Sequence, residues 1–230
     1  MKARTTFAPN TKHSLYTFDA EQVAWLETRM WEAYYARQDA RLFLLLLRLV
    51  GSQFAVPLRD AMRIAIMLTR PAMQFARMVP TPDSLPANAP IMHDALAYAF
   101  VIPGLTLAYE AIRVVNGAYY DAETAARAEL QWWIVHRHPT HFGVNALTEA
   151  IAALYAAQYV TDIACVREAA RLRAEAALIC DIGRKSAKVR GAPYWREVYA
   201  LLRQSYQSLR VAVADLAPSE PNSKRTTSAN

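Results

Sequence analysis

An all-α, single-domain helical bundle is the fold class this chain predicts, on three observations. Glycine is scarce, with six in 230 residues, while alanine, the strongest helix former, recurs throughout. The alternation of Val, Ile and Thr with polar residues that marks half-buried strands is missing. Finally, Arg41-Leu42-Phe43-Leu44-Leu45-Leu46-Leu47-Arg48-Leu49-Val50 closes a helical pattern that begins near Asp19, and it is apolar on every side. A helix of that kind must be enclosed by other helices or by lipid. Residues 42–47 fall far short of the roughly 20 apolar residues a bilayer span needs. The expectation is six to eight helices around a long, largely buried first helix.

The first helix has a clear start. Asp19 is placed to cap it, Gln22 completes a capping box, and Phe18 and Val23 have the spacing of a hydrophobic staple. No Gly or Pro interrupts the pattern before Gly51, so one helix is expected over 19–50. Pro57 suits the first turn of a second helix reaching residue 79, with Pro71 as a kink. Residues 80–90 hold four prolines and read as a loop. A third apolar region, 91–115, is interrupted by Pro103-Gly104 and stopped by Asn116-Gly117. Its His93, Asp94, Glu110 and Arg113 argue against a membrane hairpin.

Asp121 caps a fourth helix over 122–137, and Asn145 a fifth over 145–160. Thr161 caps a sixth over 162–182, with Gly183 as its stop, and Pro193 opens a seventh over 193–216. The sixth shows an apolar face of Val166, Ala169, Leu172, Ala176 and Ile179. The seventh shows Trp195, Val198, Leu202, Tyr206, Leu209, Val213 and Leu216. Residues 1–18 are expected to be a flexible leader without an apolar signal segment, 19–216 the bundle, and 217–230 a disordered polar tail.

Lys and Arg number 26 against 20 Asp and Glu, a net charge of +6 spread along the chain. The one concentration is Arg184, Lys185, Lys188 and Arg190, with no interleaved aromatics and no nucleic-acid motif, so nucleic-acid binding is not expected. Cys165 and Cys180 fall about 22 Å apart on one helix, beyond disulfide reach. They fit small buried thiols in a reducing, cytoplasmic setting. No transmembrane segment is expected.

The chemistry-bearing residues concentrate on two helices. Glu27, Trp31, Tyr34 and Gln38 share one side of the first, with Glu32 and Tyr35 beside them. A carboxylate inside a bundle needs a partner, and Arg171 is the natural one for Glu27 or Glu32 if it turns inward. The solvated alternative pairs Arg171 with Glu168 and Glu175. The fourth helix carries Glu129, Trp132, Trp133, His136 and Arg137. No Glu-x-x-His pair occurs anywhere, which disfavours a standard di-iron site. His136, His138 and His141 form a local cluster that suits a helix C-terminus as well as a metal. His93-Asp94 matches the dipeptide of the HD-type phosphohydrolases but lacks their upstream histidine. Phosphate loops, dinucleotide fingerprints, nucleophile elbows and Cys-x-x-Cys are absent.

Two functions follow. The first is a non-catalytic module that binds a protein partner or assembles with itself. The alternative is an enzyme or carrier with an internal apolar pocket, a ferritin-like metal–carboxylate site being one form of it. Trp31, Tyr35, Trp132, Trp133, Tyr155 and Tyr159 would line that pocket, and Glu27, Glu32, Glu129, His136 and Arg137 would supply its polar groups. It requires a cavity of roughly a few hundred Å³ with at least two of those charged groups facing inward. No cofactor is indicated.

Overall fold

The computed structural model describes residues 15–77, 98–137, 139–186 and 193–216. They contain eight α-helices and no strand: α1 (Ala20–Tyr35), α2 (Asp39–Gln53), α3 (Leu58–Arg77), α4 (Ile102–Asn116), α5 (Ala122–Arg137), α6 (Pro139–Tyr159), α7 (Ile163–Ser186) and α8 (Tyr194–Val213). Each helix packs on the next in sequence, and α8 packs on α1. The eight helices therefore close a ring around a single hydrophobic core. The all-α, single-domain bundle is the architecture of the chain.

Several ends obey their local chemistry. The Asp19 carboxylate accepts from the backbone N–H of Glu21 and Gln22, and Phe18 and Val23 are both buried beside it. The Asp121 carboxylate accepts from the N–H of Thr124 at 2.6 Å. Helix α4 stops at Gly117, φ 61°. Leu15 and Phe18 are core residues, so the last part of the expected leader belongs to the bundle.

The long first helix is two helices. Arg37 adopts φ 55°, its N–H donates to the Tyr34 carbonyl, and the Gln38 N–H donates to the Ala33 carbonyl. Those bonds make a Schellman stop, usually built on glycine. Here an arginine holds the left-handed position, so the sequence shows no breaker. Nor is the leucine run enclosed on all sides. Leu42, Leu45 and Leu49 are buried, whereas Arg41, Leu44 and Arg48 share an outward face.

Two glycines read as breakers are close-approach points. Helix α7 runs through Gly183, where a Cβ would overlap the Tyr194 ring of α8. Pro103 lies in the first turn of α4, and a Cβ on Gly104 would lie 2.7 Å from Cγ of Pro71 on α3. Pro71 lies within α3 without ending it. Helix α6 carries a non-helical residue at Gly143 (φ 77°, ψ 170°), two residues before the start expected at Asn145.

Among the described residues one stretch, Ala99–Asn116, is long and apolar enough to cross a membrane by length and composition alone. It packs on α3 and α5. The loop at 80–90, the His93-Asp94 pair, His138, Lys188, Arg190 and residues 217–230 lie outside the described residues, as does the side chain of His141.

Candidate functional site

Inside the ring lies a cavity of about 460 Å³. One face of α5 supplies five of its walls, because Glu129, Trp132, Trp133, His136 and Arg137 recur at helical spacing. Helix α1 contributes Met30, Trp31, Tyr34 and Tyr35 from its last two turns. Leu42 and Leu46 of α2, and Leu68, Ala72, Phe75 and Ala76 of α3, complete the apolar lining. Arg173 and Arg184 enter from α7, and Arg37 from the α1–α2 turn.

His136 stacks flat on Trp132, with ring centroids 4.3 Å apart and planes 9° apart, and lies 5.2 Å from the Trp31 ring. Its Nε2 is 3.3 Å from the Tyr35 hydroxyl. Burial lowers its pKa, and the charges of Arg173 and Arg184 add to that, pushing it down to about 3. The imidazole is therefore neutral at physiological pH. Glu129 is placed differently. Burial raises its pKa, opposed by the charge of Arg173 and by hydrogen bonds from Tyr109 and Trp133. The Tyr109 hydroxyl donates to one oxygen at 2.9 Å, and Trp133 Nε1 donates to the other at 2.6 Å. Gln158 in turn donates to the Tyr109 hydroxyl at 2.8 Å.

Four arginines border the cavity, and three are stacked on aromatic rings. The Arg137 guanidinium lies 3.8 Å from the Phe75 ring centroid and donates to the Tyr98 hydroxyl at 2.7 Å and to the Phe75 carbonyl. Arg184 sits 4.6 Å over Tyr35 and binds Asp181, which also receives Lys185 at 2.7 Å. Arg173 lies 5.0 Å over Trp132 and pairs with Glu27. Arg37 is exposed at the rim, with the Ala76 carbonyl 3.5 Å away.

Of the eleven residues singled out from sequence, seven line this cavity: Trp31, Tyr35, Glu129, Trp132, Trp133, His136 and Arg137. Four do not. Glu27 is fully buried behind the wall, held by Arg173 and by the Tyr206 hydroxyl at 2.6 Å. Glu32 faces outward enough to pair with Arg29 and Arg41. Tyr155 and Tyr159 are packed in the core, where Tyr155 lies against Arg173. Arg171 binds Glu168 and Glu175 on the solvated face, so the inward partner of Glu27 is Arg173 instead. The signal was available: Arg173 lies seven residues after Val166 and four after Ala169, on the apolar face of α7.

The carboxylates do not converge. Glu27 meets an arginine and a phenol, and Glu129 meets a phenol and an indole. Among the described residues no group of three His, Cys, Asp or Glu side chains could hold a metal ion. No family model, curated protein or solved structure matches this chain.

Proposed function

We propose that the bundle binds a small amphipathic molecule in the half-open cavity lined by α1, α2, α3, α5 and α7. The observation that carries this reading is the cavity itself. About 460 Å³ lies within the usual range for small-molecule sites, and an aromatic lining with a few placed polar groups is their usual composition. The helix break at Arg37 adds support, because a non-glycine residue in the left-handed region is costly and sits at the rim.

The polar groups favour binding over proton transfer. His136 is a weak base at neutral pH, and each oxygen of Glu129 already accepts one hydrogen bond. His136 instead presents a fixed dipole beside Trp31 and Trp132. Titration with phenylnaphthylamine, a neutral dye that brightens in apolar surroundings, tests the reading. The native protein should bind it, and Ala72→Trp, which fills the cavity from α3, should weaken binding at least about tenfold while circular dichroism stays unchanged. Absence of binding, or equal binding by Ala72→Trp, would count against the pocket.

Self-assembly is the second reading, favoured by Leu58, Met62 and Ile66. They lie at i, i+4 and i+8 on α3 and are 70%, 46% and 55% exposed. A dimer in solution that Ile66→Lys dissociates would support it, and a strict monomer would not.

A further inference from the structure

We propose that the outward face of α3, with the groove it makes against α2, docks on the surface of an anionic lipid bilayer. This goes beyond the pocket and does not depend on it.

The sequence concentrates charge on these two helices. Residues 37–77 hold seven arginines and two aspartates, a net +5 out of the chain's +6. Spacings of four, seven and seven put Arg59, Arg63, Arg70 and Arg77 in one line along α3. All four are exposed, and none makes an ion pair with a described residue. At 1.5 Å per residue the line is about 27 Å long. That is too long for one small anion, and it fits an extended array of them.

An apolar line runs beside the cations. Leu58, Met62 and Ile66 each precede or flank an arginine of the row, and all three are exposed. At Ile66 the line reaches the groove against α2, where Phe43 and Met73 lie alongside Arg70 and Arg77. Asp39 is the single carboxylate that lines this groove.

A bilayer surface answers both lines together. Guanidinium forks match the phosphate oxygens of its headgroups. Apolar side chains on the same helix enter the boundary between headgroups and acyl chains. Other occupants satisfy only part of the face. A nucleic-acid backbone would leave the apolar line uncovered, and the face lacks the Trp or Tyr that usually anchors a protein interface. A second copy docked through Leu58, Met62 and Ile66 would set one arginine line against another across a two-fold contact.

Flotation of the whole protein with phosphatidylcholine vesicles, with and without about 30% phosphatidylserine, tests the proposal. Binding to the anionic vesicles should be at least about tenfold stronger and should fall as salt rises. Arg63→Gln combined with Arg70→Gln should weaken it at least about tenfold. Met62→Ser combined with Ile66→Ser should weaken it too, with the salt dependence unchanged. These side chains are exposed, so the melting temperature should stay the same in both variants. Arg203→Gln combined with Arg210→Gln removes equal charge from α8 and should leave binding intact. Absence of binding, equal binding to both vesicles, or equal losses in the α3 and α8 arginine variants would overturn the proposal. So would a dimer that Ile66→Lys dissociates, which gives the face to a second copy, or tighter binding of a DNA duplex than of the anionic vesicles. The pocket is judged by the dye titration above, whatever the vesicles show.

Discussion

Glu27 of α1 and Arg173 of α7 meet inside the ring across 146 residues of sequence, with Arg173 Nε 3.1 Å from Glu27 Oε1. The other carboxylate oxygen takes the Tyr206 hydroxyl of α8. Three helices are therefore joined at one buried carboxylate, directly behind the Trp132 wall of the cavity. Removing one partner leaves an uncompensated charge in the core. Arg173→Leu should cost about 3–5 kcal/mol in urea unfolding. Pairing it with Glu27→Leu should recover much of that loss, and the non-additivity of the double-mutant cycle measures the coupling. Simple additivity would show that the pair is not the junction described.

Arg37 holds the turn between α1 and α2 at a cost. A left-handed backbone costs a non-glycine residue about 1–2 kcal/mol, and glycine adopts it freely. Arg37→Gly should therefore raise the unfolding free energy by about 1 kcal/mol, because the Schellman bonds of Arg37 and Gln38 are backbone bonds and persist. Calorimetric melting checks the gain.

Gly183 lies inside a helix, where alanine is the better former by about 1 kcal/mol. Propensity alone would make Gly183→Ala stabilising. The Tyr194 ring occupies the space a Cβ needs, and overpacking costs about 1–3 kcal/mol, so a net loss is expected. Tyr194→Ala in the same chain should restore the ordinary propensity gain at Gly183, as read from paired denaturation curves.

His136 gives the bundle an acid limit. Its folded pKa, about 3, lies below the ordinary 6.5, so the unfolded chain binds the extra proton. Stability from this group is fully present above about pH 6.5 and is lost as pH falls below it, by at most about 1.4 kcal/mol per pH unit. Glu129 works in the opposite sense, since its raised pKa favours the folded state on acidification. The histidine acts from about pH 6.5 downward, so the window from there to about pH 5 reads it. His136→Phe should flatten the melting-temperature profile over that window, and an unchanged slope would remove His136 as its source.

Much of the fold was legible because its signals are local. Asp19 and Asp121 cap helices through their own side chains, and Asn116-Gly117 ends one through backbone freedom. The residues of α5 that line the cavity were legible too, since helical spacing puts Glu129, Trp132, Trp133, His136 and Arg137 on one face. What stayed hidden depended on distant neighbours. Nothing local marks Arg37 as a left-handed stop, or shows that Gly183 is kept small by Tyr194. Spacing likewise placed Tyr155 and Tyr159 among aromatic candidates without revealing that both are packed in the core outside the cavity lining, Tyr155 against Arg173. Glu27 and Glu32 were found as carboxylates of interest, but only the closure of the ring assigns one to the core and the other to surface arginines.

Because α8 is the segment that shuts the circle onto α1, α1 leaves a ribosome well before the helix that covers it. Tyr206 follows Glu27 by 179 residues. At ordinary elongation speeds that is a delay of roughly ten to forty seconds. During it, the Glu27 carboxylate and the apolar flank around Val23 stay without their native cover. Nascent chains stalled before α8 should be markedly more protease-sensitive than the finished polypeptide.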